Sequence, residues 1–465
     1  MTQASVSDLT QQYRTLNPAT DQVLHVFPTA TDAEAEALLA RAHTAFQSWR
    51  GTPVAERVRL FRRFAELADE HVEELARLVT LEMGKPLAQS RGEAAGISRM
   101  FLYYAENGPA MLADEEVAVP GFGRTVTRRE PIGVVLGIEP WNVPLYQAMR
   151  ATVPNLMLGN TVLVKPAEIS AGSTLLLGSL FADAGFPADV YQTALISREQ
   201  VSAFIADPRV RAVTLTGSNR AGSAIGEQTG RAVKPVVLEL GGSDAFIVLD
   251  SADVEKAAAN AATVRLAIGG QVCISPKRVI VTEAVAEKFT AAYTAAFAGA
   301  NLGDPLDAAT TVGPLSSSAA ADLLQQQYQD AVDKGATVLV PGGRVDGPGA
   351  FFRPAVLTGI TPQMRLYTEE AFGPLGVLYT VPDADAAVEL ANSSPYGLGG
   401  TVYAQDLDEA ARVAGLLDTG AVGVNRWLGA PIQIPFGGTK GSGVGRELGL
   451  TGMDAFANHK TYAVA

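Results

Sequence analysis

The sequence is poor in the residues that form disulfide bonds and metal clusters. Cys273 is the one cysteine among 465 residues, so no disulfide bond can form within the chain and no thiolate cluster can hold a metal. The four histidines, at positions 25, 43, 71 and 459, lack the spacing of a metal site. We therefore predict no metal centre.

Long apolar runs and excess positive charge are lacking as well. No segment approaches the roughly 18 apolar residues that a membrane span needs, and the N-terminal stretch has no apolar core of a secretory signal. We therefore expect a cytoplasmic protein without a membrane partner. Acidic residues outnumber basic ones by 49 to 36, for a net charge of −13, which repels nucleic acid at long range. Nucleic acid is not expected as a partner.

The residues present predict a large α/β protein of two lobes. Hydrophobic residues make up 47% of the chain, and 465 residues exceed what one core usually serves. The first hundred residues have a helical pattern, with helices expected over 32–50, from 54 onward and over 71–83. Short apolar runs then alternate with helical stretches, which indicates parallel sheets covered on both faces. Strands are predicted at 132–138, 162–164, 212–216, 236–240, 245–249, 278–281, 337–340 and 376–381.

Cys273 lies in the sequence Gly-Gly-Gln-Val-Cys-Ile-Ser-Pro at 269–276. The glycine pair and the proline predict an irregular turn, and Lys277 and Arg278 follow it. An electropositive turn of this kind favours a thiolate nucleophile. A buried, unreactive thiol is the commoner role of a lone cysteine, and no histidine lies nearby in sequence to activate it.

Glu239 lies inside a predicted buried strand, in Val-Val-Leu-Glu-Leu-Gly-Gly at 236–242. A desolvated carboxylate has a raised pKa, which suits a general base near neutral pH. The alternative is a structural ion pair or an edge-strand position. The pattern by itself leaves both open.

Two loops could contact ligands. Pro-Trp-Asn-Val-Pro at 140–144 is a rigid loop in which Asn142 could donate to a developing oxyanion, although such loops are more often simple turns. Gly217 and Ser218 begin a Gly-x-x-x-x-Gly pattern directly after a predicted strand, where helix N–H groups suit a phosphate. Glycine content alone explains one such spacing.

In chain order these motifs resemble those of the aldehyde dehydrogenase superfamily. The matching segments span residues 81 to 447: Leu-Glu-Met-Gly-Lys-Pro at 81–86, Pro-Trp-Asn-Val-Pro at 140–144, Lys-Pro-Ala-Glu at 165–168, Thr-Gly-Ser at 216–218, Leu-Glu-Leu-Gly-Gly at 238–242, Gly-Gln-Val-Cys at 270–273, Glu-Glu-Ala-Phe-Gly-Pro at 369–374, Pro-Phe-Gly-Gly at 435–438, Ser-Gly at 442–443 and Gly-Arg-Glu at 445–447.

The resemblance implies a two-step oxidation of an aldehyde. Cys273 would attack the carbonyl, and Asn142 with the Cys273 backbone N–H would hold the oxyanion. Hydride transfer to a nicotinamide would then give a thioester, and Glu239 would activate the water that hydrolyses it.

The resemblance also implies a dinucleotide site. The residues carried over to it are Trp141, Lys165, Glu168, Gly217, Ser218, Glu370 and Phe372. A carboxylate on the adenosine ribose favours NAD and repels a 2′-phosphate, so Glu168 indicates NAD, with NADP still possible.

The implied fold has a Rossmann-like cofactor domain, a second α/β catalytic domain and a small β oligomerisation element. The expected boundaries are 1–113 with 132–241 for the cofactor domain, 242–440 for the catalytic domain, and 114–131 with 441–465 for the oligomerisation element. Strands of the last element suit pairing with a neighbouring chain, so a homodimer or homotetramer is expected.

The expected substrate follows from a closer resemblance to a short bacterial branch of succinate-semialdehyde dehydrogenases. Arg150 and Arg265 match basic residues of those enzymes, and Arg426 is a further candidate substrate contact. A guanidinium suits a substrate carboxylate because it is a rigid bidentate donor. Ordinary salt bridges are the alternative for Arg150 and Arg265.

Other functions stay open at this point. An enzyme for aliphatic or aromatic aldehydes is the runner-up, followed by a dehydrogenase that transfers its thioester to coenzyme A, which Glu239 argues against. A fold kept only for binding is disfavoured by the presence of Cys273, Asn142 and Glu239 together.

Four features depart from the family pattern. Ile-Gly at 268–269 replaces Asn-Thr before the nucleophile, and Ala151 stands where many members carry lysine. Ala-Pro at 430–431 replaces serines that others place near the acid group. Ser275 excludes a disulfide with a neighbouring cysteine. The first and third departures bear on the substrate more than on the reaction class.

Overall fold

The computed structural model describes residues 12–464, which form alternating helices and strands around two larger sheets. The helices are α1 Asp32–Trp49, α2 Val54–Glu70, α3 Val72–Met83, α4 Leu87–Met111, α5 Pro144–Leu158, α6 Ala171–Asp183, α7 Arg198–Ala206, α8 Asn219–Arg231, α9 Val254–Leu266, α10 Glu283–Ala298, α11 Ser318–Asp333, α12 Arg365–Thr368, α13 Ala384–Asn392, α14 Leu407–Leu416 and α15 Gly449–Asp454.

The strands are β1 Gln12–Asn17, β2 Gln22–Pro28, β3 Glu115–Glu116, β4 Arg124–Pro131, β5 Val134–Ile138, β6 Thr161–Lys165, β7 Tyr191–Thr193, β8 Val210–Thr216, β9 Val236–Glu239, β10 Asp244–Val248, β11 Pro276–Thr282, β12 Thr337–Val340, β13 Gly343–Arg344, β14 Phe352–Arg353, β15 Ala355–Thr358, β16 Leu375–Val381, β17 Tyr396–Gly397, β18 Gly399–Tyr403, β19 Ala421–Val424, β20 Thr439–Lys440, β21 Gly443–Val444 and β22 Ala457–Val464.

The first large sheet has six strands in the order β21-β9-β8-β5-β6-β7. All its pairs are parallel except β21 with β9, and helices pack on both faces. Its strands β5 and β6 consist mainly of valine, leucine and isoleucine, because a strand buried on both faces has no polar side. A Rossmann-like sheet was expected for this region, and the structure has one.

The second large sheet has seven strands in the order β12-β15-β16-β11-β10-β18-β19. Only β12 runs antiparallel to its neighbour. A third, antiparallel sheet has the order β22-β4-β3, in which all eight residues of β22 pair with β4. Together these sheets confirm the expected α/β fold class. The proposed domain boundaries themselves stay a prediction.

Three features differ from the sequence expectations. Residues 12–28 form the hairpin β1-β2, not a helix, because Tyr13 and Thr15 alternate inward and the Tyr13 hydroxyl donates to Ile196 O at 2.8 Å. Helix α4, which the sequence did not delimit, runs for 25 residues. Strand β21 joins the six-stranded sheet, so the segment 441–465 contributes to two sheets and not only to the small one.

Within residues 12–464, no helix combines the length and the apolar composition that crossing a membrane requires.

Candidate active site

The carboxyl ends of the six-stranded sheet bring distant motifs to one edge. Ile138 pairs with Lys165 on one side and Leu215 on the other, and Thr216 pairs with Glu239. Because these strands are parallel, the loops that follow them begin side by side. Crevices outside such strand ends are where open α/β sheets bind ligands.

The turn that presents Cys273 has an unusual backbone. After α9, Ile268, Gly269 and Gly270 have φ values of 53°, 60° and 75° in succession. A side chain at Gly270 would overlap the carbonyl oxygen of Gly373, so only glycine fits there. The left-handed run reverses the chain before strand β11 and leaves Cys273 partly exposed.

Hydrogen bonds to its carbonyl groups fix this turn. The buried Lys277 ammonium donates to Val272 O at 2.8 Å and to Cys273 O at 2.6 Å. The Asn142 amide donates to Gln271 O at 3.0 Å. A Cβ added at Gly242 would lie 2.6 Å from Cys273 O, so Gly242, shortly after β9, packs directly on the Cys273 backbone.

Cys273 and Asn142 line one cavity of about 1080 Å³. Its wall is mainly apolar, and Arg150 is the one cationic side chain among the described residues that line it. Besides these three, the wall includes Gln89, Glu93, Tyr146, Gln147, Ile268, Ile274, Trp427 and Phe436. An amide carries two N–H donors, so Asn142 keeps one beyond its bond to Gln271.

Burial dominates the electrostatics of the thiol. It raises the pKa of Cys273 to about 11, although the positive charges of Lys277 and Arg150 act in the opposite direction. In the ligand-free protein at neutral pH the side chain is therefore a neutral thiol.

Glu239 ends strand β9 and is 2% exposed. Neither of its carboxylate oxygens has a hydrogen-bond partner within the described chain. Burial raises the pKa of Glu239 well above its ordinary value, and the nearby Arg150 guanidinium only partly offsets this. The carboxylate is not among the residues that line the cavity, but it precedes Gly242, which packs on Cys273.

A buried charge cluster surrounds this carboxylate. Arg150 forms an ion pair with Glu447 and donates to the Thr216 hydroxyl at 2.9 Å, and Thr214 donates to Glu447 at 2.8 Å. Glu139, 4% exposed, joins the cluster, and burial together with the charge of Glu447 raises its pKa. Sequence reasoning assigned no role to Glu139 or Glu447, since only folding brings them to Arg150.

The other two arginine candidates do not line the cavity. Arg265 is fully buried and donates to the carbonyls of Leu375, Gly270 and Ala371 and to the Ser275 hydroxyl. It therefore supports the nucleophile turn instead of facing a substrate. Arg426 is exposed, and its neighbour Trp427 lines the cavity in its place.

The adenosine-side candidates lie where β6 and β8 end. Lys165 pairs with Glu168 at 2.9 Å. Burial disfavours the charged form of Glu168, but the Lys165 ammonium outweighs it and holds the pKa of Glu168 below its usual value. Ser218 caps the N-terminus of α8 by accepting from Ala221 N at 3.3 Å. The strand, turn and helix N-terminus suit a pyrophosphate.

The remaining cofactor candidates are Glu370, Phe372 and Trp141, which lie near the residues that hold the Cys273 turn. Glu370 pairs with Lys277 at 2.9 Å and accepts from Gly242 N at 3.2 Å. Phe372 packs edge-to-face on Trp141, with ring centroids 5.7 Å apart. The structure thus brings all but Arg265 and Arg426 of the expected site residues to the sheet edge or the cavity.

The fold and this cavity define the class: an α/β protein with a Rossmann-like sheet and a large cavity lined by Cys273 and Asn142. The sequence model of the aldehyde dehydrogenase family matches residues 5–462 of this chain, so the chain belongs to that family. The resemblance inferred from the motifs is confirmed, and the protein is an oxidoreductase of the aldehyde dehydrogenase type.

Characterised relatives cover nearly the whole chain. Succinate-semialdehyde dehydrogenase [NADP(+)] of Deinococcus radiodurans is 48% identical over 448 residues, which is 96% of this chain and 94% of the relative. Succinate-semialdehyde dehydrogenase [NADP(+)] 1 of Mycobacterium tuberculosis is 42% identical over 97% of this chain and 99% of its own. The crystal structure of succinic semialdehyde dehydrogenase from Streptococcus pyogenes in complex with NADP+ matches with a TM-score of 0.95 and 37% sequence identity. The match covers 97% of this chain and 99% of the Streptococcus chain.

Proposed function

We propose that this protein oxidises succinate semialdehyde to succinate with a nicotinamide dinucleotide. The choice of substrate rests on the position of Arg150. It is the one cationic side chain that the described residues contribute to the wall of the cavity that Cys273 lines. A guanidinium there suits a short aldehyde with a distal carboxylate. The relatives named for succinate semialdehyde support the same substrate.

In the first step, the Cys273 thiol gives its proton to bulk water, and the thiolate sulfur attacks the aldehyde carbon. The carbonyl oxygen becomes an oxyanion, to which the free N–H of Asn142 and the backbone N–H of Cys273 donate. A nicotinamide, when bound, accepts the hydride that leaves the tetrahedral carbon, and a thioester on Cys273 results.

In the second step, Glu239 takes a proton from water, and the hydroxyl oxygen attacks the thioester carbon. Collapse of the tetrahedral adduct releases the carboxylic acid and a Cys273 thiolate, and the proton held by Glu239 restores the thiol. A carboxylate without hydrogen-bond partners and with a raised pKa is a strong base for this role.

The residues at the sheet edge fit a dinucleotide. The N-terminus of α8 and Ser218 suit the pyrophosphate, Lys165 and Glu168 the adenosine ribose, and Glu370 the nicotinamide ribose. We propose NADP+ as the working cofactor, in place of the NAD preference expected from Glu168. The charge of Glu168 is paired with Lys165, which weakens its repulsion of a 2′-phosphate, and the named relatives use NADP+.

Two variants test the cofactor. Glu168→Gln should raise the kcat/KM ratio of NADP+ over NAD+ by about tenfold, since it removes a negative charge beside the 2′-phosphate. Lys165→Met should lower that ratio. A wild-type ratio below one, unchanged in both variants, would contradict the assignment.

The substrate test compares two arginines. Arg150→Gln should lower kcat/KM for succinate semialdehyde relative to butanal by ~10- to 100-fold, about 1.4–2.8 kcal/mol. Arg426→Gln serves as the control, because Arg426 does not line the cavity, and should leave the ratio unchanged. Thermal unfolding checks that each variant is folded. Equal losses of kcat/KM for both aldehydes would show that Arg150 does not bind the substrate carboxylate.

An enzyme of broader specificity is the second candidate. The ion pair with Glu447 offsets much of the charge of Arg150, and the rest of the cavity wall is mainly apolar. A wild-type kcat/KM for butanal or benzaldehyde within about tenfold of that for succinate semialdehyde would favour this alternative.

We also propose a homodimer or homotetramer. Strand β22 lies at the edge of its antiparallel sheet, and most of its side chains are exposed. An exposed edge of eight residues is a template for pairing with another chain. Light scattering at known concentration should give a mass of two or four chains, and a monomeric mass would overturn the proposal.

A further inference from the structure

Helix α4 contributes an amide side chain that holds the nucleophile turn. Gln89 lines the cavity, and its Oε1 accepts a hydrogen bond from Ile268 N at 2.7 Å, across 179 positions of sequence. Its Nε2 donates to Thr311 O at 3.5 Å. The side chain therefore connects the N-terminal helices to the loop that leads to Cys273.

Ile268 needs such a partner because its backbone is strained. Its φ and ψ of 53° and 33° lie in the left-handed region, which β-branched residues rarely occupy. A conformation of this kind costs on the order of 1–3 kcal/mol and persists only where its surroundings fix it. The bond from Gln89 fixes the N–H side of Ile268, and Gln271 donates to its carbonyl at 3.0 Å.

The same face of α4 also contacts the segment that follows Asn142. Glu93, one helical turn from Gln89, accepts from Leu145 N at 2.9 Å and Tyr146 N at 3.2 Å, and it pairs with the buried Lys85. These N–H groups begin α5, directly after the loop that contains Asn142. One helix thus contacts the supports of both Cys273 and Asn142.

We propose that Gln89 is a positioning residue for the nucleophile. Its amide oxygen locks the left-handed turn at 268–270, and the turn in turn fixes the Cys273 sulfur relative to the Asn142 amide. The inference rests on the proposed role of Cys273 but not on the choice of aldehyde or cofactor.

The test is a double-mutant cycle between Gln89 and Ile268. Gln89→Met keeps the length of the side chain and removes the acceptor, and Ile268→Gly removes the strain that the acceptor holds. Gln89→Met should lower kcat about tenfold with KM changed less than twofold, because a small displacement of a reacting atom lowers the rate and not binding. The rate of Cys273 alkylation by iodoacetamide should change in parallel.

In the Ile268→Gly background, the same Gln89→Met change should cost less than about threefold, since glycine adopts the turn unaided. Arg91→Met is the matched control on α4. Arg91 is exposed and pairs only with Glu73 among the described residues, so kcat and alkylation should stay at the wild-type values.

Three outcomes would overturn the proposal: equal losses from Gln89→Met in both backgrounds, a change confined to KM, or a lower melting temperature with kcat and alkylation unchanged. Failure of the proposed function is distinguishable, because it would show as wild-type protein that alkylates normally yet oxidises no aldehyde.

Discussion

The turn that carries Cys273 and the strand that carries Glu239 are held in opposite ways. Lys277, Asn142 and Arg265 all donate to backbone carbonyls of the turn at 270–273, so the nucleophile's backbone has little freedom. The Glu239 carboxylate has no hydrogen-bond partner within the described residues and sits in a cluster of buried charges. Hydrogen bonds therefore fix the backbone at Cys273, the proposed nucleophile, whereas burial mainly sets the properties of Glu239, the proposed base.

The largest effect on kcat is expected from a change at Cys273. Cys273→Ala should lower kcat by more than about 10⁴-fold, because the covalent intermediate can no longer form. Cofactor binding, followed by quenching of tryptophan fluorescence, should stay within twofold. Turnover at even a hundredth of the wild-type rate would mean that the fixed turn does not present the nucleophile.

The base is expected to act at one step only. Glu239→Gln should slow thioester hydrolysis by about 10²- to 10⁴-fold, since the amide cannot accept the proton from water. A pre-steady-state burst of reduced cofactor should remain, because acylation does not require that proton transfer. Stopped-flow absorbance measures both phases. Loss of the burst together with steady-state turnover would assign Glu239 to the first step as well.

Loosening the turn should have an intermediate effect. Lys277→Met removes two hydrogen bonds to the turn and leaves Glu370 without its cation, so kcat should fall roughly 10²-fold and the free energy of unfolding by about 3 kcal/mol. Lys334→Met is the control, as its ion pair with Asp330 is partly exposed and should be worth less than about 1 kcal/mol. Matching values for the two variants would show that the turn does not depend on Lys277.

The last test changes only the pH and leaves the sequence intact. Burial raises the pKa of Cys273 to about 11, so the thiolate fraction falls with decreasing pH throughout the neutral range. Without cofactor, the alkylation rate with iodoacetamide should therefore increase about tenfold per pH unit between pH 7 and 10. A plateau by pH 9 would mean that Lys277 and Arg150 outweigh burial.

Several of these features could be predicted because they are visible in the local sequence. Glu239 was a candidate base because a carboxylate between apolar residues of a strand is visible in the chain itself, although the pattern left a structural ion pair equally open. Strands were predicted at 132–138, 162–164 and 212–216 from their apolar runs, and the structure has β5, β6 and β8 there. Cys273 and Asn142 stood out by composition and motif.

What could not be predicted depends on distant packing. Arg150 has the same sequence neighbours whether it faces a substrate or Glu447, and only the fold pairs it with that carboxylate. Arg265 could not be told from a substrate contact for the same reason. Gln89 carries no sequence signal at all, because its partner is a backbone N–H of a residue whose strained conformation arises from folding.

The pairing of β21 with β9 and of Glu447 with Arg150 has a consequence for synthesis of the chain. Thr214 donates to Glu447, 233 positions further on, so the pocket around the base closes only after that segment has left the ribosome. Until then a nascent chain exposes the open edge of β9, and Arg150 lacks its ion-pair partner Glu447. Chains stalled or cleaved before residue 443 should therefore depend on chaperones more than the full chain does.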